Sequence, residues 1–339
     1  MRKLIIIFCL LCCGCFDYNE ASNTLIVSSI GFDYDESYKF YYYLINPETL
    51  TTSELGSSSA KDKYMIAEVS ANSFHEAWNK LLIYSNENIS AAHLQSIILS
   101  KAFYEQKLDE LLKLFKSAPW YYPDFKIFVT LHNLEEIFRS ENPENVSPYF
   151  SIIGEFSNDK IYNYTTYTQF AVMQSEKKLN SRFPVISLRD DIWESSNEKL
   201  ISIAYSGLIF FNENSNIIIT RDQFQVIDLI AKKNDITLIY DGVAFKLDNI
   251  KIRKSYSDGI ILKITGNCEV VNNVSYNIDQ YKSILVNNVS NELKALIDYG
   301  ILHNQDIFSI NDYLYRIKKA NVDYSNIDYY YDINLTFDF

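Results

Sequence analysis

Residues 64–84, YMIAEVSANSFHEAWNKLLIY, change their period near residue 72. The first eight residues read as a strand. From Ser73 onward, Phe74, Ala77, Trp78, Leu81 and Leu82 recur at helical spacing and share one face. The helix has a marked start. Ser73 and Glu76 form a capping box, in which each side chain accepts the other's free backbone N–H. A strand followed at once by an amphipathic helix predicts a sheet with helices packed on it.

The sequence downstream repeats this unit. HLQSIILS (93–100) reads as a strand, YEQKLDELLKLFKS (104–117) as an amphipathic helix, DFKIFVTL (124–131) as a strand, and Asn133 caps a short helix. Alternation from 64 to 140 favours a mixed sheet. Upstream, TLIVSSIGFD (24–33) and YKFYYYLIN (38–46) read as a hairpin around Asp33–Ser37, and 51–63 as a polar, mobile loop. Residues 141–200 are less regular, with helices that include YTQFAVMQSEKKL (167–179).

A second body begins near 203 with a hairpin, IAYSGLIFF (203–211) and NIIIT (216–220), and a helix at 222–231. Three β-rich runs, 236–247, 249–257 and 259–271, predict an antiparallel meander. A long helix over 278–299 turns Tyr281, Leu285, Val289, Leu293, Leu296 and Ile297 to the core. A shorter helix covers 310–319, and YYYDINLTF (329–337) closes as a strand. The predicted class is α+β. A mixed-sheet N-terminal region with packed helices (24–200) precedes a C-terminal domain of antiparallel sheet with a long helix (201–339).

The N-terminus reads as a processing signal. Arg2 and Lys3 precede a continuously apolar run, Leu4–Leu11, that Cys12 and Cys13 extend to ten residues. As a helix it would span ~15 Å, about half a bilayer core, so it is too short for an anchor. A positive end, a short apolar run and small residues form a secretory signal peptide. Gly14 directly before Cys15 adds a lipoprotein signal, in which the cysteine thiol is acylated and becomes the first mature residue. Cys13 is the alternative, since Cys12 stands where such signals usually carry Leu. Residues 1–14 are thus read as signal peptide and 15–23 as a polar tether, with Cys15 as the lipidation site.

Net charge is −12, and two units more negative once Arg2 and Lys3 are removed. This argues against nucleic acid as a partner and against electrostatic adhesion to anionic lipid. Attachment to the bilayer then falls to acylated Cys15, where two acyl chains hold and one is marginal. Beyond the signal only Cys268 remains, so an intrachain disulfide framework is excluded if Cys15 is acylated. The 27 tyrosines follow a composition rich in Tyr, Ile, Asn and Lys rather than marking a carbohydrate platform.

No catalytic, metal or cofactor constellation is visible. His75, His93, His132 and His303 lack zinc-ligand spacing, and His93 reads as a buried, hydrogen-bonded residue opening a strand. YSGLI (205–209) is not a nucleophile elbow, and nine glycines leave little room for a phosphate loop. Arg189-Asp190-Asp191 and Asp109-Glu110 read as solvated charges, and Cys268 as a small core residue.

GCFDYNEASNTLIVSSIGFDYD (14–35) resembles the start of the Ger(x)C family of spore germination lipoproteins. Gly14, Cys15, Asp17, Leu25, Gly31 and Asp33 match its pattern, with Phe16 in place of Trp. The likeness continues in order through YYYLINPE, SANSFHEAWNKL, AAHLQSIILSKAF with His93, FPVISL, YSGLIFFNENSNIIIT and ELKALIDYGILHNQDIFSINDYLYRI. Asn72 stands where Gly is common. Asp306 and Phe308 are retained, Ser309 and Asn311 replace glycines, and the usual Pro-x-x-Trp is missing. The resemblance implies a noncatalytic C subunit of a nutrient germinant receptor, on the outer face of the spore inner membrane, assembled with two integral-membrane subunits (A-type and B-type). A stand-alone solute-binding lipoprotein and an anchored envelope hydrolase are the alternatives from other classes.

Overall fold

The computed structural model describes residues 24–46, 64–116, 124–140, 165–175, 181–195, 198–211, 216–231, 236–271, 277–319 and 322–338. Residues 1–14, the segment 15–23 with Cys15, and the loop expected at 51–63 lie outside them.

A parallel centre with antiparallel wings makes up the first sheet. β1 (Thr24–Asp35) pairs antiparallel with β2 (Ser37–Ile45), and β2 with β3 (Tyr64–Ala71). On its other side β1 takes β5 (Ser96–Ser100) in parallel, with the short β4 (Asn88–Ser90) paired at its start. β6 (Lys126–Thr130) and β8 (Ser181–Ser195) continue in parallel, and β7 (Thr165–Thr166) adds a short antiparallel pairing to β6. Antiparallel β9 (Glu198–Phe211) and β10 (Asn216–Thr220) complete the order β10-β9-β8-β6-β5-β1-β2-β3.

Parallel neighbours need crossovers, and helices supply them. α1 (Phe74–Tyr84) joins β3 to β4, and α2 (Lys101–Lys116) joins β5 to β6. α3 (Leu134–Arg139) and α4 (Tyr167–Ser175) lie between β6 and β8. α1, α2 and α4 pack on one face and α3 on the other. Strands covered on both faces read as continuous apolar runs. β5 and β6 are buried at every position, and in β2 Phe40, Tyr42 and Leu44 face one core while Tyr41, Tyr43 and Ile45 face the other. Tyr41, Tyr42 and Tyr43 are therefore core. Phe32 gathers Phe40, Phe74, Phe103 and Phe115 at centroid distances of 5.4, 5.7, 5.3 and 6.1 Å, the spacing at which aromatic rings attract.

The second core follows β10. A 3₁₀ turn (Gln225–Ile227) runs into the single turn α5 (Asp228–Ala231), shorter than the helix expected over 222–231. β11 (Ile236–Tyr240), β12 (Val243–Tyr256) and β13 (Ile260–Val270) form the expected antiparallel meander. The first β-rich run is itself a hairpin, because Asp241 and Gly242 both take positive φ (52° and 76°), as a tight hairpin turn requires. The next run is not a separate strand. Asn249 at φ 51° sits where the register shifts between Asp248 and Lys251, and β12 continues past it. α6 (Ile278–Leu302) buries all six predicted residues together with Gly300. α7 (Ile310–Arg316) leads to β14 (Tyr329–Asp338), which pairs parallel to β13.

Three expectations need correction. His93 does not open a buried strand. It is exposed in a turn, and β5 starts at Ser96. Residues 181–195 form β8, which the sequence hid because Pro184 and the charges Arg189-Asp190-Asp191 interrupt the strand pattern. The hairpin read as opening the second body belongs to the first sheet: β9 pairs with β8 and spans position 200. Its faces are divided, since Ile209 joins the first core while Leu208 and Phe210 join the second.

Candidate functional site

The residues singled out for chemistry lie apart. His75 is exposed near the start of α1, His93 in the turn before β5, His132 after β6, and His303 at the end of α6 against the Tyr299 ring, 4.4 Å between centroids. Cys268 is fully buried on β13 in the second core. Among the described residues no group of three or more His, Cys, Asp or Glu side chains is placed to hold a metal. Arg189 reaches Asp222 at 3.8 Å, linking β8 to the turn after β10. Asp190 and Asp191 fall where β8 shifts register, between Arg189 and Trp193.

Asp109 and Glu110 sit on α2, and the second has partners. The Tyr38 hydroxyl donates to the Glu110 carboxylate, and Lys107 Nζ lies 3.1 Å from it. The same ammonium stands 4.6 Å from the Tyr34 ring centroid and 5.5 Å from that of Tyr38. The hydrogen bond from Tyr38, with the Lys107 charge beside it, holds the Glu110 carboxyl below its usual range. Burial and the facing carboxylate push the Tyr38 hydroxyl up. This cluster clamps α2 to the β1–β2 hairpin, and each charge in it is matched.

A second ionic centre lies under α7. The Asp306 carboxylate accepts from the backbone N–H of Ile310 and of Asn311, both at 2.7 Å, and so caps the helix. Ser309 precedes the helix in the left-handed region, φ 53° and ψ 48°, and its carbonyl accepts from Lys254 Nζ at 3.2 Å. Burial raises the Asp306 carboxyl and lowers the Lys254 ammonium, and each offsets the other's shift by its charge. Both residues are consumed in holding β12 to the closing helix.

The remaining feature is a surface. Where β1 begins, Thr24, Leu82, Ser85, Asn88, Ile89 and Ser90 line an open recess of about 680 Å³. Beside it the last residues of α1 are bare: Leu82 is 41%, Ile83 77% and Tyr84 84% exposed. The sequence assigned Leu82 to the buried face. The signal against that was present, since Leu81–Tyr84 are four consecutive apolar residues and a helix cannot turn all four inward. Met65, 43% exposed, is the second residue of β3 and lies at the same end, because Ile26 of β1 pairs with Ile45, and Ile45 with Tyr64. The capping box at the other end of α1 is offset by one residue. Ser73 Oγ accepts from the Glu76 N–H at 3.2 Å, but the Glu76 carboxylate accepts from Asn72 N–H at 3.0 Å.

Comparison with known proteins bears on this arrangement. Residues 17–188 match the family model described as "Spore germination protein N-terminal domain". The match runs from two residues after Cys15 into β8. No curated protein matches the chain. Among solved structures, "Crystal Structure of the GerBC protein" is similar at 13% identity, covering 91% of this chain and 96% of that one, with a TM-score of 0.48. The family match takes in more than half of the sequence and contains most of the first sheet, and the chain belongs to the spore germination proteins that carry this N-terminal domain.

Proposed function

We propose that this protein is the C subunit of a nutrient germinant receptor, held by acylated Cys15 to the outer face of the spore inner membrane and assembled there with two integral-membrane subunits. The observation that carries the reading is the family match, which starts two residues past Cys15. A chain anchored at residue 15, with β1 beginning at Thr24, would place its folded body beside membrane partners. No helix among the described residues is long and apolar enough to cross a membrane, so on this reading the lipid supplies the attachment. The subunit acts through contacts and carries out no reaction of its own. Anchoring raises its effective concentration next to its partners without adding any contact to them.

Affinity capture of the tagged protein from detergent-solubilised spore membranes should bring down two integral-membrane proteins. Spores lacking the gene should lose the response to one nutrient class and keep the others. Cys15→Ala should abolish lipid labelling and weaken that response, and labelling that persists in Cys15→Ala and disappears in Cys13→Ala would move the anchor to Cys13. Capture of the protein alone, with nutrient responses intact in its absence, would refute the receptor role. A tight small-molecule complex of the purified protein would favour a solute-binding lipoprotein in its place.

A further inference from the structure

We infer that the end of the first sheet bearing Met65, Leu82, Ile83 and Tyr84 rests on the lipid bilayer, giving the protein a second, noncovalent membrane contact that sets its orientation. The inference rests on the reading of Cys15 as the anchor.

Chain length supplies the first argument. Cys15 and Thr24 are nine Cα–Cα steps apart, which fully extended reach at most about 30 Å. Thr24 lines the recess beside the exposed end of α1. β1 runs away from this end for twelve residues, ~40 Å at strand rise, to the hairpin at Asp35, Glu36 and Ser37. Of the two ends of the sheet, the one with the bare apolar residues is the one the anchor holds near the membrane.

Polarity supplies the second. The distal hairpin tip exposes Asp35 and Glu36 in a protein of net charge −12, so an anionic bilayer repels it. The near end exposes two aliphatic side chains, a methionine and a tyrosine, rimmed by Ser85, Asn86, Asn88 and Ser90, with Glu87 as the acid among the residues lining the recess. Aliphatic tips beside a tyrosine, with a polar rim in which Glu87 is the acid, suit the headgroup boundary, where an amphipathic ring has its apolar body in the acyl region and its hydroxyl in water. Helix geometry supplies the third. Phe74, Ala77 and Leu81 bind α1 to the sheet, so the three residues at its end project from a rigid support.

A docked membrane subunit or a second copy of the chain would compete for the same face, and one experiment separates them. Single cysteines are placed at Ile83 (Ile83→Cys) and, as a distal control, at Ser37 (Ser37→Cys), in the full chain processed in cells. Each is labelled with an environment-sensitive fluorophore and reconstituted in vesicles of phosphatidylethanolamine and phosphatidylglycerol. The expected result is a blue shift at position 83 and loss of its emission when nitroxide-labelled lipid is included, with neither change at position 37. Unquenched emission at 83 overturns the inference. So does protection of position 83 that appears only when the two membrane subunits are added, or a disulfide between two copies of Ile83→Cys that forms equally well without lipid. Acylation of Cys15 is read by mass spectrometry on the same samples. Acylation without quenching rejects the surface contact and keeps the anchor. Quenching without acylation rejects the anchor and keeps the contact.

Discussion

The ring of Phe138 lies so close to Gly31 that a Cβ on the glycine would stand 2.8 Å from its Cε2, with Tyr41 Cβ at 3.1 Å on the same side. Gly31 is thus the floor on which α3 lands against β1, and it is one of the residues that carry the family likeness. Gly31→Ala should lower stability by about 1–3 kcal/mol, the usual cost of overpacking a filled core. Urea denaturation would measure it. Phe138→Leu should cost less in the Gly31→Ala background than in the wild type, because the two changes share one contact.

Asp306 should be a sensitive acid in the second core. Asp306→Ala leaves the N–H groups of Ile310 and Asn311 without their acceptor, and should destabilise by about 1–3 kcal/mol. Ser309→Gly should act in the opposite sense. The left-handed backbone at Ser309 suits glycine, and relief of that strain should raise stability by about 0.5–1 kcal/mol. A Ser309→Gly variant no more stable than wild type would mean that the serine side chain contributes something its conformation does not reveal.

Glu110 gives a pH dependence of defined sign. Its folded carboxyl titrates below the unfolded one, chiefly because Tyr38 donates to it. The ionised form therefore favours folding above the ordinary glutamate range, near pH 4.3. That contribution is lost as pH falls through the lowered folded value. Tyr38→Phe should move the Glu110 titration upward and flatten the acid limb of stability. Carboxyl NMR of the two proteins would show it, and an unchanged Glu110 titration in Tyr38→Phe would assign the shift to Lys107 instead.

The second core takes from the first sheet the outer face of β9 and β10. We propose that it folds as its own unit, with the β9–β10 hairpin included. A fragment of residues 198–339 should unfold cooperatively, whereas one that starts at Gln225 should not, because it lacks Leu208, Phe210, Ile217 and Ile219. Equal behaviour of the two fragments would place the boundary after β10.

Elements whose periodicity was unbroken were legible. α6 shows six apolar residues at helical spacing, and the structure buries those six. β5 and β6 were legible for a different reason, each carrying three consecutive apolar residues, Ile97–Leu99 and Ile127–Val129. β8 was not, since a proline and five charged residues in fifteen erase the alternation. Its place is set on one side by β6, distant in sequence, through Val185 and Ile186, and on the other by β9, the next strand along the chain, over most of its length. His93 was misread because the apolar run following it drew the strand start too far forward. Leu82 was misread because it was grouped with the packed face of α1, although four consecutive apolar residues, Leu81–Tyr84, cannot all turn inward. Cys15 was read as the lipidation site from its immediate neighbours, Gly14 and the apolar run before it, and it lies outside the described residues.

The parallel pairing of β13 with β14 fixes an order of events. β13 is made early, then α6, the capped turn at Asp306 and α7, and only afterwards the strand that covers its edge. As the chain emerges, the meander and α6 can collapse on each other while a row of unpaired N–H and C=O groups along β13 waits for its partner. A waiting edge of this kind is a template for other chains. Premature stop codons or proteolytic trimming between α7 and Tyr329 would make that interval permanent, leaving a core that is nearly full and an edge that recruits its neighbours, so that loss of these last strand residues should appear first as aggregation rather than as a soluble, inactive protein.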